Sequence, residues 1–244
     1  SPPPSSRPPS PPPSPPPASE ERSAVESHYD GQANVGIARG KYLAQRKAGP
    51  LINYKQYANN VKRRMFKQYA RNAASLLDLG CGRGGDLSKW REAGVRNVLA
   101  MDLSADQLED ARRRENDGKG GGKGKGGGKG GGGKGGGRGG KETVITWMQG
   151  SLLDANLEQS LLAQLPSQQQ QAASDGADAV AIMFAVQFAF VSRERADCLI
   201  RTIATMLKPG GVFFGTAPDG AAITAAVGSA RELHLIPPDH QFAL

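Results

Sequence analysis

The chain has 244 residues, the size of one ordinary domain, with 33 glycines, 17 prolines and a formal net charge of +8. Two segments distort those totals: residues 1–17 hold 11 of the prolines, and residues 118–141 hold 17 of the glycines with seven Lys or Arg and no acid. Outside them 23 basic residues face 23 acidic ones, so the excess charge sits on a tether, a weak salt-sensitive attractor of polyanions, and not on a basic nucleic-acid-binding face.

In chain order, residues 1–23 are expected to be a disordered Pro/Ser-rich tail with extended polyproline character. That start lacks the apolar stretch of a secretory signal. Because it begins at Ser1 and not Met, a missing natural N-terminus is expected. Val61–Ala70 has a helical pattern. Ser75–Leu79 is a short apolar strand, Asp86–Ala93 suits a helix, and Asn97–Met101 is a second strand closed by Asp102. A helix over Ala105–Asn116 carries an Arg-rich face, and the Gly/Lys-rich stretch 118–141 follows as an insertion. Then come a strand at Val144–Met148, a helix near Leu157–Leu165, a Gln-rich surface loop around Gln168–Gln171, and a buried strand at Ala179–Met183. A helix over Arg193–Leu207 stops at Lys208-Pro209-Gly210-Gly211, before a last strand at Val212–Gly215.

Alternating strands and helices imply an α/β fold: a doubly wound, Rossmann-like parallel sheet covered on both faces. The insertion falls between a helix and a strand, where extra length costs little closure entropy. No run of about 18 apolar residues exists to cross a membrane. Two cysteines, Cys81 and Cys198, build neither a disulfide framework nor a zinc site unaided, and a reducing compartment is the natural reading.

The sharpest local signal is Leu76-Leu77-Asp78-Leu79-Gly80-Cys81-Gly82-Arg83-Gly84-Gly85-Asp86, after a strand and opening a helix. Gly80 permits a tight turn and Gly82 a close approach of ligand to backbone. Asp102 closes the next strand, where a carboxylate accepts both hydroxyls of a ribose. By spacing, Gly80, Gly82 and Gly85 also satisfy G-x-G-x-x-G, so a nicotinamide dinucleotide is a rival ligand. The acid before the loop and the charge at Arg83 favour S-adenosylmethionine, which carries an ammonium and no phosphate.

Several ordered blocks resemble the eukaryotic mRNA cap guanine-N7 methyltransferases. They are His28-Tyr29 with Val35-Gly36, Asn59-Asn60-Val61-Lys62, Asp78 to Asp86 followed by Leu87-Ser88-Lys89-Trp90, Met183 to Phe190, and Leu207-Lys208-Pro209-Gly210-Gly211 through Gly215-Thr216-Ala217-Pro218-Asp219. The resemblance implies a class I methyltransferase domain over residues 24–227, with 228–244 an irregular tail. It implies that Lys62, Gly80 and Asp102 contact S-adenosylmethionine, with Gly82 in the same loop. Ser151 and Met183 occupy two further cofactor positions, where the family has Asp and Gln. Asn59, Asn60, Arg83, Lys89 and Arg114 align with residues at the cap nucleotide and its triphosphate. Gln187 and Phe188 stand where the family has a His-Tyr pair beside guanine, and Phe188 counts also among the cofactor positions.

The implied activity is methyl transfer from S-adenosylmethionine to N7 of the cap guanine of capped RNA, in the nucleus. Guanine N7 has a lone pair and no proton to lose, so no catalytic acid, base or metal is expected. Five strands are expected where a class I sheet usually has seven, so the sheet is read as truncated after the fifth. A small-molecule methyltransferase and a catalytically dead cofactor- or RNA-binding remnant are the alternative readings. The sequence does not reveal protein partners, although the proline-rich tail offers P-x-x-P segments of the kind that act as ligands.

Overall fold

The computed structural model describes Glu26, Ser27, Asp30 and residues 52–120, 142–152, 154, 156–164 and 176–227. The proline-rich tail, His28-Tyr29, Val35-Gly36, most of the Gly/Lys-rich insertion, the Gln-rich loop and residues 228–244 lie outside the described residues. The elements are α1 (Ile52–Tyr69), β1 (Ser75–Leu79), α2 (Leu87–Ala93), β2 (Asn97–Asp102), α3 (Ala105–Gly120), β3 (Val144–Gln149) and α4 (Leu157–Gln164). They continue with β4 (Ala177–Met183), a 3-10 segment (Val186–Val191), α5 (Arg193–Met206), β5 (Leu207–Thr216) and α6 (Gly220–Val227).

The five strands form one parallel sheet in the order β3-β2-β1-β4-β5. Period-two alternation sends successive side chains to opposite faces. Leu76, Val98, Ala100, Ala179, Ala181 and Phe214 pack with Phe66 of α1, Trp90 of α2 and Leu108 of α3. Leu77, Leu79, Leu99, Met101, Val180 and Ile182 pack on the other side with Leu157 and Leu161 of α4 and Leu199 and Ile203 of α5. Strands buried on both faces explain why these runs read as continuously apolar in sequence. Helix ends follow local chemistry. Gly94 closes α2 in the left-handed conformation, its N–H donating to the Arg91 carbonyl. Ser192 caps α5 by accepting from the Arg195 N–H.

Four expectations are corrected. The first helix starts at Ile52, not Val61, because Asn59, Asn60 and the polar turns before them continue its outer face. Helix α3 runs past Asn116 to Gly120, into the insertion. The Pro-Gly-Gly stretch does not precede the last strand but lies inside it. Leu207 pairs with Ala177 and Val212 with Ala179, so residues 208–211 bulge out opposite Asp178 while the ladder continues. The 3-10 segment and α6 went unseen, being short and, in α6, apolar without an amphipathic period.

Candidate functional site

The chain leaves the centre of the sheet in one direction through β1, β2 and β3, then in the other through β4 and β5. The carboxyl ends of β1 and β4 therefore diverge and leave a crevice. A cleft of about 190 Å³ occupies it, lined by Gly80 and Gly82 after β1, Met101, Asp102 and Leu103 at the end of β2, and Gln107 on α3. Gly150, Ser151 and Leu152 after β3 and Met183, Phe184, Ala185 and Phe188 after β4 complete the wall.

The glycine loop is strapped to β2, with Gly80 N and Cys81 N both donating to the Met101 carbonyl at 2.8 and 2.9 Å. Gly80 has φ +84°, and a Cβ there would stand 2.6 Å from the Ala185 methyl carbon, so no side chain fits. Asp102 is fastened from both sides. Its Oδ2 accepts from Gly82 N at 2.6 Å and its Oδ1 from Ser104 N at 3.1 Å. The Leu103 N–H adds to their pull, and the roughly four acceptor sites of a carboxylate are not filled by these donors. Burial pushes the Asp102 carboxyl up from its ordinary range, against the pull of those backbone donors. Ser104 also caps α3, its Oγ accepting from Gln107 N, and its hydroxyl donates to Asp30.

Beneath the loop lies a buried ionic cluster. Asp78 is fully buried; Trp90 Nε1 donates to its Oδ2 at 3.1 Å, and its Oδ1 finds no hydrogen bond. Burial first, then repulsion from Asp86, pushes the Asp78 carboxyl up to about 8, against the attraction of Lys62 and the Trp90 bond. Asp86 receives both Lys62 and Lys89, each with Nζ 2.8 Å from Oδ1. Lys89 also donates to the Gly85 carbonyl at 2.9 Å. Burial raises the Cys81 thiol well above its usual range, aided by Asp102 and Asp78, so it is an inert packing group.

Six of the seven expected cofactor positions thus line one cleft: Gly80, Gly82, Asp102, Ser151, Met183 and Phe188. The seventh, Lys62, lies under the loop on Asp86. The expected cap residues scatter more. Arg83 pairs with Asp110, and Arg114 Nη1 donates to the Arg83 carbonyl at 2.9 Å, so the Arg114 guanidinium reaches the backbone of the glycine loop. Lys89 differs from the expectation: it is 2% exposed and turned inward, because one helical turn brings its ammonium back onto Asp86. Asn59 donates to the Lys55 carbonyl within α1, and Asn60 accepts from Arg63. Gln187 Nε2 donates to the Phe184 carbonyl at 2.8 Å, so it buttresses the cleft wall from behind and does not line it.

Sequence reasoning missed Met101, Leu103, Gln107, Gly150, Leu152, Phe184 and Ala185 as lining residues. Most are apolar, and only Phe184 carries a local signal in the structure. Its φ is +61°, a strained value for a bulky residue of the kind found at binding sites. Its N–H is held by the Thr216 carbonyl at 2.8 Å.

A family model described as the mRNA (guanine-N(7))-methyltransferase domain matches residues 17–123 and 149–235, most of the chain. The chain belongs to that family. Its sheet is accordingly of the doubly wound class I methyltransferase type. Three similar relatives are each named mRNA cap guanine-N(7) methyltransferase. The first, from Arabidopsis thaliana and numbered 1, is 27% identical across 96% of this chain and 57% of that protein. The relative from Caenorhabditis elegans is 29% identical across 82% and 46%, and that from Saccharomyces cerevisiae 26% across 82% and 38%. The chain therefore spans about half the length of the curated relatives it matches. Among solved structures, the DhpI-SAM-HEP complex aligns with a TM-score of 0.48 and 16% identity, covering 90% of this chain and 76% of that one.

Proposed function

We propose that this domain transfers a methyl group from S-adenosylmethionine to N7 of the guanine cap of mRNA. The observation that carries the reading is Asp102, held at the end of β2 by the Gly82 and Ser104 N–H groups with acceptor capacity left over, in a cleft floored by side-chain-free Gly80 and Gly82. That largely apolar wall with one carboxylate suits two ribose hydroxyls, and the Gly80, Cys81 and Gly82 N–H groups, already donating to Met101 and Asp102, leave no nest for a pyrophosphate. When bound, S-adenosylmethionine supplies an electrophilic methyl on a sulfonium. The residues of the chain then have positional work to do. Asp102 orients the donor through its sugar, the apolar faces of Met183, Phe184 and Phe188 exclude water, and Arg114, at the backbone of the glycine loop, and Arg83, held by Asp110, serve the triphosphate of the cap. N7 attacks with its own lone pair, so a base would have no proton to take. Alignment and water exclusion are the contributions such a site makes.

The family membership and the relatives' names support the substrate. Nuclear residence is part of the same proposal, supported by the nature of that substrate and tested by imaging a fluorescently tagged chain. The decisive experiment incubates the chain with labelled S-adenosylmethionine and either capped or uncapped RNA, then digests the product to nucleosides. The expected result is 7-methylguanosine from capped RNA alone; label without 7-methylguanosine overturns the reading. Asp102→Ala removes two charge-assisted hydrogen bonds of about 1.5–3 kcal/mol each. S-adenosylhomocysteine affinity measured by calorimetry should therefore fall at least about 100-fold, and unchanged affinity refutes the assignment.

A further inference from the structure

A second concavity lies on the far side of the glycine loop. It is a shallow groove of about 420 Å³ between α2 and α3, with Gly84 and Gly85 at its floor, Ser88 and Arg91 on one wall and Arg114 on the other. It shares no lining residue with the cofactor cleft, although Gly82 and Gly84 are two residues apart on one loop. The groove is built from the outward face of α2, whose inward face buries Leu87, Lys89, Trp90 and Ala93. Gly85 is exposed, and a Cβ there would meet nothing within 4 Å. Packing therefore does not require glycine at this position, and the space above it is open to a ligand. The one acid at the rim, Glu92, is matched by Arg63 at 2.9 Å and Lys67 at 3.6 Å. Arg91 has no ion pair among the described residues, so its guanidinium is a full, fork-shaped donor set facing the groove.

We infer that this groove binds phosphodiester groups of the substrate RNA downstream of the cap, with Arg91 as the residue that distinguishes capped RNA from a free cap dinucleotide. The inference rests on the proposed function. Arg114, assigned above to the triphosphate, donates to the Arg83 carbonyl on the glycine loop and also walls the groove. A chain leaving the triphosphate along that wall meets Arg91 next. Arg guanidinium recognises phosphate bidentately, and such contacts position an RNA without reading its bases. The ligand is thus single-stranded RNA backbone, in any sequence.

The test compares the native chain with Arg91→Glu, Arg91→Ala and Arg91→Lys, and with Arg201→Glu, an equal charge change on α5 across the sheet. Methyl transfer is measured on a cap dinucleotide and on a capped RNA of ten nucleotides. Arg91→Glu should raise the KM for capped RNA about tenfold at constant kcat and leave the dinucleotide KM unchanged, with Arg91→Lys restoring most of the loss. In anisotropy titrations of the same RNA, Arg91→Ala should flatten the salt slope by about 0.7, the value for one phosphate contact on a single strand. An equal rise in KM for both substrates, or equal losses from Arg91→Glu and Arg201→Glu, overturns the inference. If the native chain methylates neither substrate, the proposed function falls. The anisotropy comparison of Arg91→Glu with Arg201→Glu still decides the groove.

Discussion

Two glycines of one loop, five positions apart, show how differently one residue type can be constrained. Gly80 sits in a left-handed turn with the Ala185 methyl where its own Cβ would be, whereas Gly85 faces open space. Gly80→Ala should therefore lose roughly 2–4 kcal/mol by chemical denaturation, from backbone strain plus a forced shift of the β4 end. Gly85→Ala should leave the denaturation midpoint unchanged. Asp78 makes a second residue-scale prediction. Its carboxyl is pushed up to about 8 in the folded chain from 3.8, so between those values the native state holds a proton that the unfolded chain has released. Stability therefore declines as pH rises from about 4 to about 8 and levels off above. Asp78→Asn keeps an acceptor for Trp90 and has no charge to desolvate. Its Tm should fall less over that pH range than that of the native chain; parallel Tm curves for the two would show that Asp78 does not titrate there.

At the scale of elements, β5 is instructive because its Pro-Gly-Gly segment looks like a strand breaker. What keeps it in the sheet is Asp178, opposite the bulge. Its carboxylate accepts from Ser75 N at the start of β1 at 2.9 Å and pairs with Lys208 on β5, so one side chain ties β1, β4 and β5. Those donors hold the Asp178 carboxyl below its usual value, against its partial burial. The stability it supplies is present above the ordinary Asp pKa and is lost as pH falls through the lower folded value. Asp178→Ala should cost about 1–2 kcal/mol by denaturant unfolding, most of it from the Ser75 bond, since Lys208 is 44% exposed and its pairing is screened. Faster amide exchange in β5 should accompany the loss. No local sequence pattern announces this tie, because its partners are about 30 and 100 residues away.

For the whole molecule, the two layers of helices and the central reversal of strand order in an all-parallel sheet put four strand ends around one cleft. The Gly/Lys-rich insertion attaches at Gly120 and rejoins before Val144, after α3 has docked on the sheet and Glu115 has accepted from Trp147 Nε1 at 2.9 Å. Shortening residues 121–141 to about six glycines and serines, which keeps Glu142 and the buried Thr143 with its bond to the Val95 carbonyl, should stabilise the domain by about 1 kcal/mol, the difference in closure entropy alone. Thermal unfolding of the shortened chain checks this, and a loss of several kcal/mol would mean that the insertion packs on the body.

Much of this molecule was written in local pattern. The apolar runs, their alternation with helical segments and the acid-flanked glycine loop were enough for the sheet, its parallel sense and the positions of Gly80, Gly82 and Asp102, because period and turn chemistry act within a few residues. Tertiary structure alone decided which charges remain available. Lys89 and Arg91 are both exposed cations to a sequence reader, two positions apart. On a helix packed against a sheet, one is turned inward onto Asp86 and the other outward into a groove. Burial and ion pairing depend on which face the sheet covers, and that face is chosen by strands distant in the chain.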